Sequence, residues 1–185
     1  YPAESVIKYA GKSWSMYYPI QVLYNPTTGN IVAYYNTDNP TDLLTLSSNY
    51  LPDTHFEVHN GKKYLSITFP VYQFYRQTAI ATAITATTGF NRTYSFSNKF
   101  YAVQISTLLN GTWTELSYSL SEQIYDTSTI TALLTIDNDN GVLGVRIPQV
   151  YFSNGLMGTQ VKVVILTTEG KVSFTVTDND SINIQ

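Results

Sequence analysis

Apolar and polar residues alternate along most of this chain in short runs, and turn residues separate the runs. Five stretches repeat the order strand, tight turn, strand, and the turns of three of them contain an Asn-Gly pair. Asn-Gly between alternating runs is the strongest local signal for a β-hairpin, because a type I′ turn needs two residues that tolerate positive φ. The predicted hairpins are 21–35, 55–69, 100–118, 133–147 and 160–176.

Between the turns the runs are rich in Thr, Val, Ile, Tyr and Phe, which suit a pleated and half-buried surface. Residues 64–69 show the period of two: Tyr64, Ser66 and Thr68 fall on one face, and Leu65, Ile67 and Phe69 fall on the other. Helix signals are weak. Segment 76–88 contains many Thr residues and is predicted as a strand, while 38–49 is predicted as a loop or one short helical turn.

These patterns predict an all-β fold, built mainly from antiparallel hairpins in a sandwich-like arrangement, with at most one or two short helices. Pro70 lacks a backbone donor and suits a strand end. It divides the chain into a predicted hairpin subdomain, 1–69, and a predicted sandwich-like domain, 70–185. Because the chain opens with Tyr1 rather than Met, we expect a processed chain or a fragment of a longer one.

The composition of the chain argues against several classes of partner and site. Only 12% of the 185 residues are charged, about half the usual share, and the net charge is −3. The ten Lys and Arg residues form no cluster that would neutralise phosphates, so we expect no nucleic-acid partner. No run of 18 apolar residues predicts a membrane-spanning helix. The chain has no Cys, which excludes disulfides, thiolate metal sites and cysteine nucleophiles.

The two histidines lie on one segment with a carboxylate between them. His55, Glu57 and His59 share a face if 55–59 is a strand, and all three are metal-ligand types. The outer Cα atoms of such a strand are roughly 13 Å apart at about 3.3 Å per residue. Both imidazoles would have to extend fully toward each other to reach one ion. We therefore predict a solvated polar face, opposite Phe56 and Val58, rather than a metal site.

Acidic residues suggest two other kinds of site, and neither pattern is specific. Asp137-Asn-Asp-Asn-Gly141 resembles a calcium loop, but Gly and Glu do not stand at the sixth and twelfth positions that an EF-hand requires. A hairpin turn explains it better, and Asp178 and Asp180 are predicted to lie in a loop. Glu115 with Glu122 or Asp126 would offer a glycosidase-type carboxylate pair, which any chain with 13 acids contains.

No serine elbow, phosphate loop or His-Glu-x-x-His motif occurs. We therefore predict no catalytic residue, no cofactor and no metal, and a protein that is not an enzyme. Sixteen Tyr and two Trp residues, including Trp14 and Trp113, indicate either ordinary cross-strand packing or a surface that contacts sugars or proteins.

Five segments that cover a little over half the chain form a recognisable ordered set. They are Phe69-Pro-Val-Tyr-Gln-Phe74, Phe90-Asn-Arg-Thr-Tyr-Ser-Phe96, Val103-Gln-Ile-Ser-Thr-Leu-Leu-Asn-Gly-Thr-Trp-Thr-Glu-Leu116, Leu143-Gly-Val-Arg-Ile-Pro-Gln-Val-Tyr-Phe-Ser-Asn-Gly-Leu-Met-Gly158 and Thr159-Gln-Val-Lys-Val-Val-Ile-Leu-Thr-Thr-Glu-Gly170. Read in order, they resemble the baseplate wedge proteins of contractile-tailed phages, the group that includes the baseplate J-like proteins. Three features depart from the family pattern: Ser153 stands where the family has Gly, Leu166 stands at a frequent Tyr position, and the terminal Gly-Asn is missing after Gly170.

This resemblance implies a structural virion protein of the tail baseplate, held by contacts with other tail proteins and with copies of itself. Low charge and abundant aromatics are compatible with a surface that is buried in an assembly. The alternative is a receptor- or carbohydrate-binding β-sandwich on a virion or bacterial surface, and hence a virion or extracellular location. A glycoside hydrolase is a third and weaker hypothesis.

Overall fold

The computed structural model describes residues 7–9, 11–24, 27–29, 31–35, 53–69, 71–81, 89–121, 128–154, 156, 159–171 and 183–184. Within them the chain forms fifteen strands and one 3-10 helix, Gln149–Asn154. The strands are β1 (Ile7–Tyr9), β2 (Lys12–Trp14), β3 (Ile20–Tyr24), β4 (Ile31–Tyr35), β5 (Asp53–His59), β6 (Lys62–Thr68), β7 (Tyr75–Ala81), β8 (Phe90–Ser95), β9 (Lys99–Leu109), β10 (Thr112–Glu115), β11 (Ser117–Ser119), β12 (Thr131–Asp137), β13 (Val142–Ile147), β14 (Val161–Thr168) and β15 (Asn183–Ile184).

The all-β prediction is confirmed, and four of the predicted hairpins are present. Antiparallel ladders join β3 to β4, β5 to β6, β9 to β10 and β12 to β13. The turn residues behave as the sequence predicts. Asn60 and Gly61 have φ of 52° and 74°, and Asn110 and Gly111 have φ of 51° and 80°. Both residues of each pair lie in the left-handed region, as a type I′ turn requires.

The fifth predicted hairpin is corrected by the position of β14. That strand pairs with β9 on one edge, and with β7 on the other edge from Val161 to Thr167, so it has no free edge for a following strand. Residues 172–176, the predicted second arm, lie outside the described residues. The third hairpin is shorter than predicted, since it ends at Glu115 and Tyr118 belongs to β11 in another sheet.

Two further local predictions lie partly or wholly outside the described residues. The predicted strand at 76–88 is confirmed where it overlaps β7, and residues 82–88 lie outside the description. Segment 38–49, predicted as a loop or one helical turn, lies wholly outside the described residues.

The contacts divide the chain into two units, one of Tyr1–Gln73 with Phe174–Gln185 and one of Phe74–Ser173. The contacts place the division after Gln73, and the boundary after residue 69 stays a prediction from the sequence.

The unit Phe74–Ser173 is a β-sandwich of two four-stranded sheets. One sheet has the order β10-β9-β14-β7, and the other has the order β11-β12-β13-β8. All described neighbours are antiparallel except β11 and β12, which run parallel. The core is a single apolar cluster to which both sheets contribute. Its fully buried members include Ile105, Leu143, Val145, Val161 and Val163.

The core follows from the period of two on each central strand. On β14 the side chains of Val161, Val163 and Ile165 belong to the core cluster, and on β13 Leu143, Val145 and Ile147 do so. Side chains of alternate residues on a strand share one face, so three successive odd positions supply one wall of the sandwich.

The other unit consists of small sheets. Strands β15, β1 and β2 form a three-stranded sheet in which Ile7 pairs with Ile184, so a segment near the end of the chain pairs with one near its beginning. Strands β3 and β4 form one two-stranded sheet, and β5 and β6 form another. An isolated bridge joins Ser15 to Tyr72 through two backbone hydrogen bonds of 2.8 and 2.9 Å.

Candidate functional site

The β5–β6 hairpin is the candidate site, because it brings together the only two histidines of the chain and several exposed apolar residues. Seven residue pairs join its strands, from Asp53 opposite Thr68 to His59 opposite Lys62. In the part of the chain that the structure describes, neither strand has a second neighbour. Two-stranded hairpins gain little burial from their own ladder, so both faces remain available to solvent or to a partner.

The polar face places Glu57 between the two imidazoles. His55 Nε2 lies 2.7 Å from Glu57 Oε1, and His59 Nε2 lies 2.8 Å from Glu57 Oε2. The carboxylate can only accept, so each imidazole donates through Nε2–H. The side chains of His55 and His59 are 53% and 67% exposed, so both hydrogen bonds form in contact with water.

The carboxyl of Glu57 is the perturbed group of this face. Hydrogen bonds from His59, His55 and the cross-strand Ser66 hold the pKa of Glu57 below its ordinary value, because they stabilise the ionised form. The register makes this arrangement possible. His55 is opposite Ser66 and Glu57 is opposite Tyr64, so both strands contribute to the same face.

The sequence correctly places His55, Glu57 and His59 on one face. It does not predict that both imidazoles lie within hydrogen-bonding distance of the Glu57 carboxylate. Both imidazoles do reach inward along the strand, but they meet on the carboxylate of Glu57. Among the described residues, no group of three or more His, Cys, Asp or Glu side chains is arranged to hold a metal ion.

The opposite face of the hairpin is apolar and exposed. Phe56 is 47% exposed and Val58 is 70% exposed, while Leu65 and Ile67 on β6 are half-buried. The ammonium of Lys63 lies 4.0 Å from the centroid of the Phe56 ring, a cation–π contact along the diagonal of the ladder. Sequence reasoning missed this contact, although the two-residue turn at Asn60-Gly61 sets the register that produces it.

The acidic segment 137–141 is a hairpin turn, as predicted. Asp137 Oδ1 accepts from the backbone N–H of Asn140 at 3.0 Å, and Asp137 Oδ2 accepts from the Asn140 amide at 2.7 Å. These hydrogen bonds lower the pKa of Asp137. Gly141 has a φ of 62°, and a Cβ on it would meet the carbonyl oxygen of Phe96. The carboxylate of Asp137 therefore stabilises the turn between β12 and β13.

The remaining candidate acids fall mostly outside the described residues. Glu115 is half-buried on β10, whereas Glu122, Asp126, Asp178 and Asp180 lie outside the described residues.

The two tryptophans are engaged in local contacts. Trp14 Nε1 donates to the carbonyl oxygen of Tyr9 at 3.1 Å, and Lys162 Nζ lies 4.7 Å from the centroid of the Trp113 ring. Several tyrosines remain about half exposed. One of them, Tyr75, donates its hydroxyl to the carboxylate of Glu169. The exposed tyrosines of the described residues are Tyr64, Tyr75, Tyr101 and Tyr118.

Comparisons with known proteins give no relative: the chain matches no family model, no curated protein and no solved structure. Among the described residues no helix is long and apolar enough to cross a membrane.

Proposed function

We propose that this chain is a structural protein of a phage tail baseplate that acts through protein–protein contacts and is not an enzyme. The observation that carries the proposal is the β5–β6 hairpin, which exposes Phe56 and Val58 to solvent on a ladder with no second neighbour among the described strands. Fully burying a side chain of this size contributes roughly 1.5–3 kcal/mol. A partner that covers this face would therefore bind more tightly, because these side chains would be removed from water.

The second support is the extent of the resemblance to baseplate wedge proteins. The five similar segments run from Phe69 to Gly170, and the sandwich unit occupies Phe74–Ser173. Four of the five segments therefore fall within the sandwich unit, and the first begins in the other unit. In this proposal the sandwich is a rigid body, and the hairpin is a contact element toward other tail proteins and copies of the same chain in the virion.

The proposed role includes no catalytic step. Histidine is the usual general acid or base at neutral pH, and both histidines of the chain donate to Glu57 on an exposed strand. Both side chains are more than half exposed, whereas a ligand pocket buries most of the surface of its ligand.

Light scattering coupled to size exclusion tests the proposal, on the chain alone and mixed with purified baseplate proteins of a contractile-tailed phage. We expect a complex that Phe56→Ser with Val58→Ser weakens at least tenfold. Ile80→Ser is the matched control, because Ile80 is 56% exposed on β7 in the sandwich unit. A chain that joins no baseplate protein and no second copy of itself would refute the proposal.

A carbohydrate- or receptor-binding module is the second candidate, supported by the four exposed tyrosines. Tyr101 is 50% exposed and its ring lies 4.7 Å from that of Phe74, so it is held as a firm flat surface. Tyr118 is 51% exposed on the edge strand β11. Reproducible binding on a glycan array, lost in Tyr101→Ala or Tyr118→Ala and kept in Ile80→Ser, would favour this candidate.

A further inference from the structure

Four Asn-Gly pairs occur in the chain, and three of them form turns between described strands. Asn60-Gly61 joins β5 to β6, Asn110-Gly111 joins β9 to β10, and Asn140-Gly141 ends the turn between β12 and β13. In the fourth pair Asn154 is followed by residue 155, which lies outside the described residues. The asparagines of the three turns are all exposed, so water reaches each of them.

An Asn-Gly pair carries both groups of a reaction that modifies its own backbone. The backbone nitrogen of Gly loses its proton to hydroxide and attacks Cγ of the Asn side chain. A C–N bond forms, the Cγ–Nδ2 bond breaks, and the leaving nitrogen takes a proton from water and departs as ammonia. Water then opens the five-membered imide at either carbonyl and leaves isoaspartate or aspartate. Gly favours the reaction because it has no Cβ to shield its nitrogen.

A closed type I′ turn suppresses this reaction. The first central residue of such a turn has φ and ψ of about +60° and +30°, which places the next nitrogen on the side of the Cα–C bond away from Cβ. Ring closure needs the nitrogen and Cβ on the same side, and therefore a rotation about that bond. Because the rotation breaks the turn, the reaction rate follows the fraction of time for which the end of the hairpin is open.

The Asn60 and Asn110 turns have the same conformation and differ in what keeps them closed. Among the described strands β5 and β6 pair only with each other, and an isolated two-stranded hairpin is marginally stable in water. β9 pairs with β14 as well as with β10. A hydrogen bond of 3.0 Å from the Leu108 N–H to the Gln160 carbonyl extends this support to within two residues of Asn110.

Asn140 is restrained most directly. Its backbone N–H and its side-chain amide both donate to the carboxylate of Asp137, at 3.0 and 2.7 Å. The carbonyl oxygen of Gly141 accepts a hydrogen bond of 2.8 Å from the Phe96 N–H. These contacts hold both the side chain that would be attacked and the residue that would attack it.

We propose that Asn60 is a site of spontaneous deamidation, while the other two described Asn-Gly turns are protected by their surroundings. The product adds one negative charge to the turn. Isoaspartate also adds a methylene group to the main chain, and a two-residue turn that sets the register of its strands does not accommodate it. Deamidation therefore disturbs the exposed array of Phe56 and Val58 on β5. This inference rests on the chemistry of the chain and is independent of the baseplate proposal.

Peptide mapping by mass spectrometry tests the ranking on the full chain, incubated at mildly alkaline pH to speed removal of the Gly proton. Fragmentation that distinguishes isoaspartate from aspartate identifies the products. Products at Asn60 should form at least about tenfold faster than at Asn110 or Asn140, which corresponds to about 1.4 kcal/mol in the free energy of opening. In concentrated urea the three positions should react at similar rates, since no turn is closed. Similar rates in the native chain, or the same ranking in urea, would overturn the proposal.

Asn60→Gly is the matched control, because Gly-Gly also suits a type I′ turn and has no side-chain amide. After the incubation, hydrogen exchange of the β5 and β6 amides should become faster in the original chain and stay unchanged in Asn60→Gly. Amides of β14 are the internal reference, since that strand is paired on both edges. Equal acceleration in the two chains would overturn the proposed effect on the hairpin.

Discussion

Two hairpins of this chain start from the same local signal and end in opposite surroundings. The β5–β6 and β12–β13 hairpins both have alternating strands and a turn that ends in Gly with positive φ. In β12–β13 the side chains of Leu143 and Val145 are fully buried. In β5–β6 the side chain of Val58, at a comparable apolar position, is 70% exposed.

The difference lies in what each hairpin meets beyond its own ladder. β13 pairs on its second edge with β8, and its apolar face packs into the cluster shared with the other sheet. β5 and β6 have no second neighbour among the described strands. The turn and the alternation decide that two segments pair, and neighbours from distant parts of the chain decide whether the pair is buried.

The largest effect should come from truncating equivalent apolar side chains in the two hairpins. Leu143→Ala removes a fully buried side chain and should lower the free energy of unfolding of the sandwich by about 3 kcal/mol. Val58→Ala should change stability by no more than about 0.5 kcal/mol. Urea unfolding measures both, with Trp113 as the fluorescent probe of the sandwich and Trp14 as the probe of the other unit. Similar losses in the two variants would remove the contrast between the hairpins.

The next effect concerns Gly144, which pairs with Thr135 inside the β12–β13 ladder. A Cβ at this position would collide with Thr135 Oγ1, so Gly144→Ala should cost about 1–2 kcal/mol. Thr135→Ala removes that oxygen, and the double variant should recover most of the loss. A double variant as unstable as Gly144→Ala alone would show that the hydroxyl is not the obstacle.

Gly61 offers the corresponding test in the exposed hairpin. Apart from its own chain neighbours, no described residue has an atom within 4 Å of a Cβ built there, but its φ is 74°, so Gly61→Ala should cost about 1 kcal/mol through the backbone alone. Gly61→Asn should cost less, because Asn tolerates this conformation. Hydrogen exchange of the β5 and β6 amides reports the loss. An Asn variant as weak as the Ala variant would argue against the conformational explanation.

The fourth effect is a predicted gain. Thr107 is fully buried on β9 and its hydroxyl oxygen has no hydrogen-bond partner among the described residues, so Thr107→Val should raise the free energy of unfolding by about 1 kcal/mol. Thr54→Val is the control on β5, where the side chain is exposed, and it should have little effect. A loss of stability in Thr107→Val would mean that the hydroxyl is satisfied in solution, for example by a bound water molecule.

Much of the local structure could be predicted because its causes are local. Asn60-Gly61 and Asn110-Gly111 adopt positive φ, as their residue types allow, and the flanking strands pair in the register that a two-residue turn imposes. The fifth predicted hairpin fails for a non-local reason. The turn at Glu169-Gly170 follows β14, whose two edges are already occupied by β7 and β9, strands that come much earlier in the chain.

The candidate site likewise has features that the sequence predicts and features that it does not. A period of two places His55, Glu57 and His59 on one face, and the turn sets which residues of β6 stand opposite them. The convergence of both imidazoles on one carboxylate depends on side-chain rotamers, which the pattern of residue types does not determine. The exposure of Phe56 likewise depends on the absence of a neighbouring strand among the described residues.

By itself, the sequence determined the all-β class, four hairpins and the faces of their strands, since turn chemistry and alternation act over a few residues. Only the tertiary structure decided that β14 is a central strand, that β11 joins β12 in parallel, and that one hairpin is buried while another is exposed. These outcomes depend on contacts between segments far apart in the chain. Many such pairings satisfy the same local pattern, and the burial of a shared core selects among them.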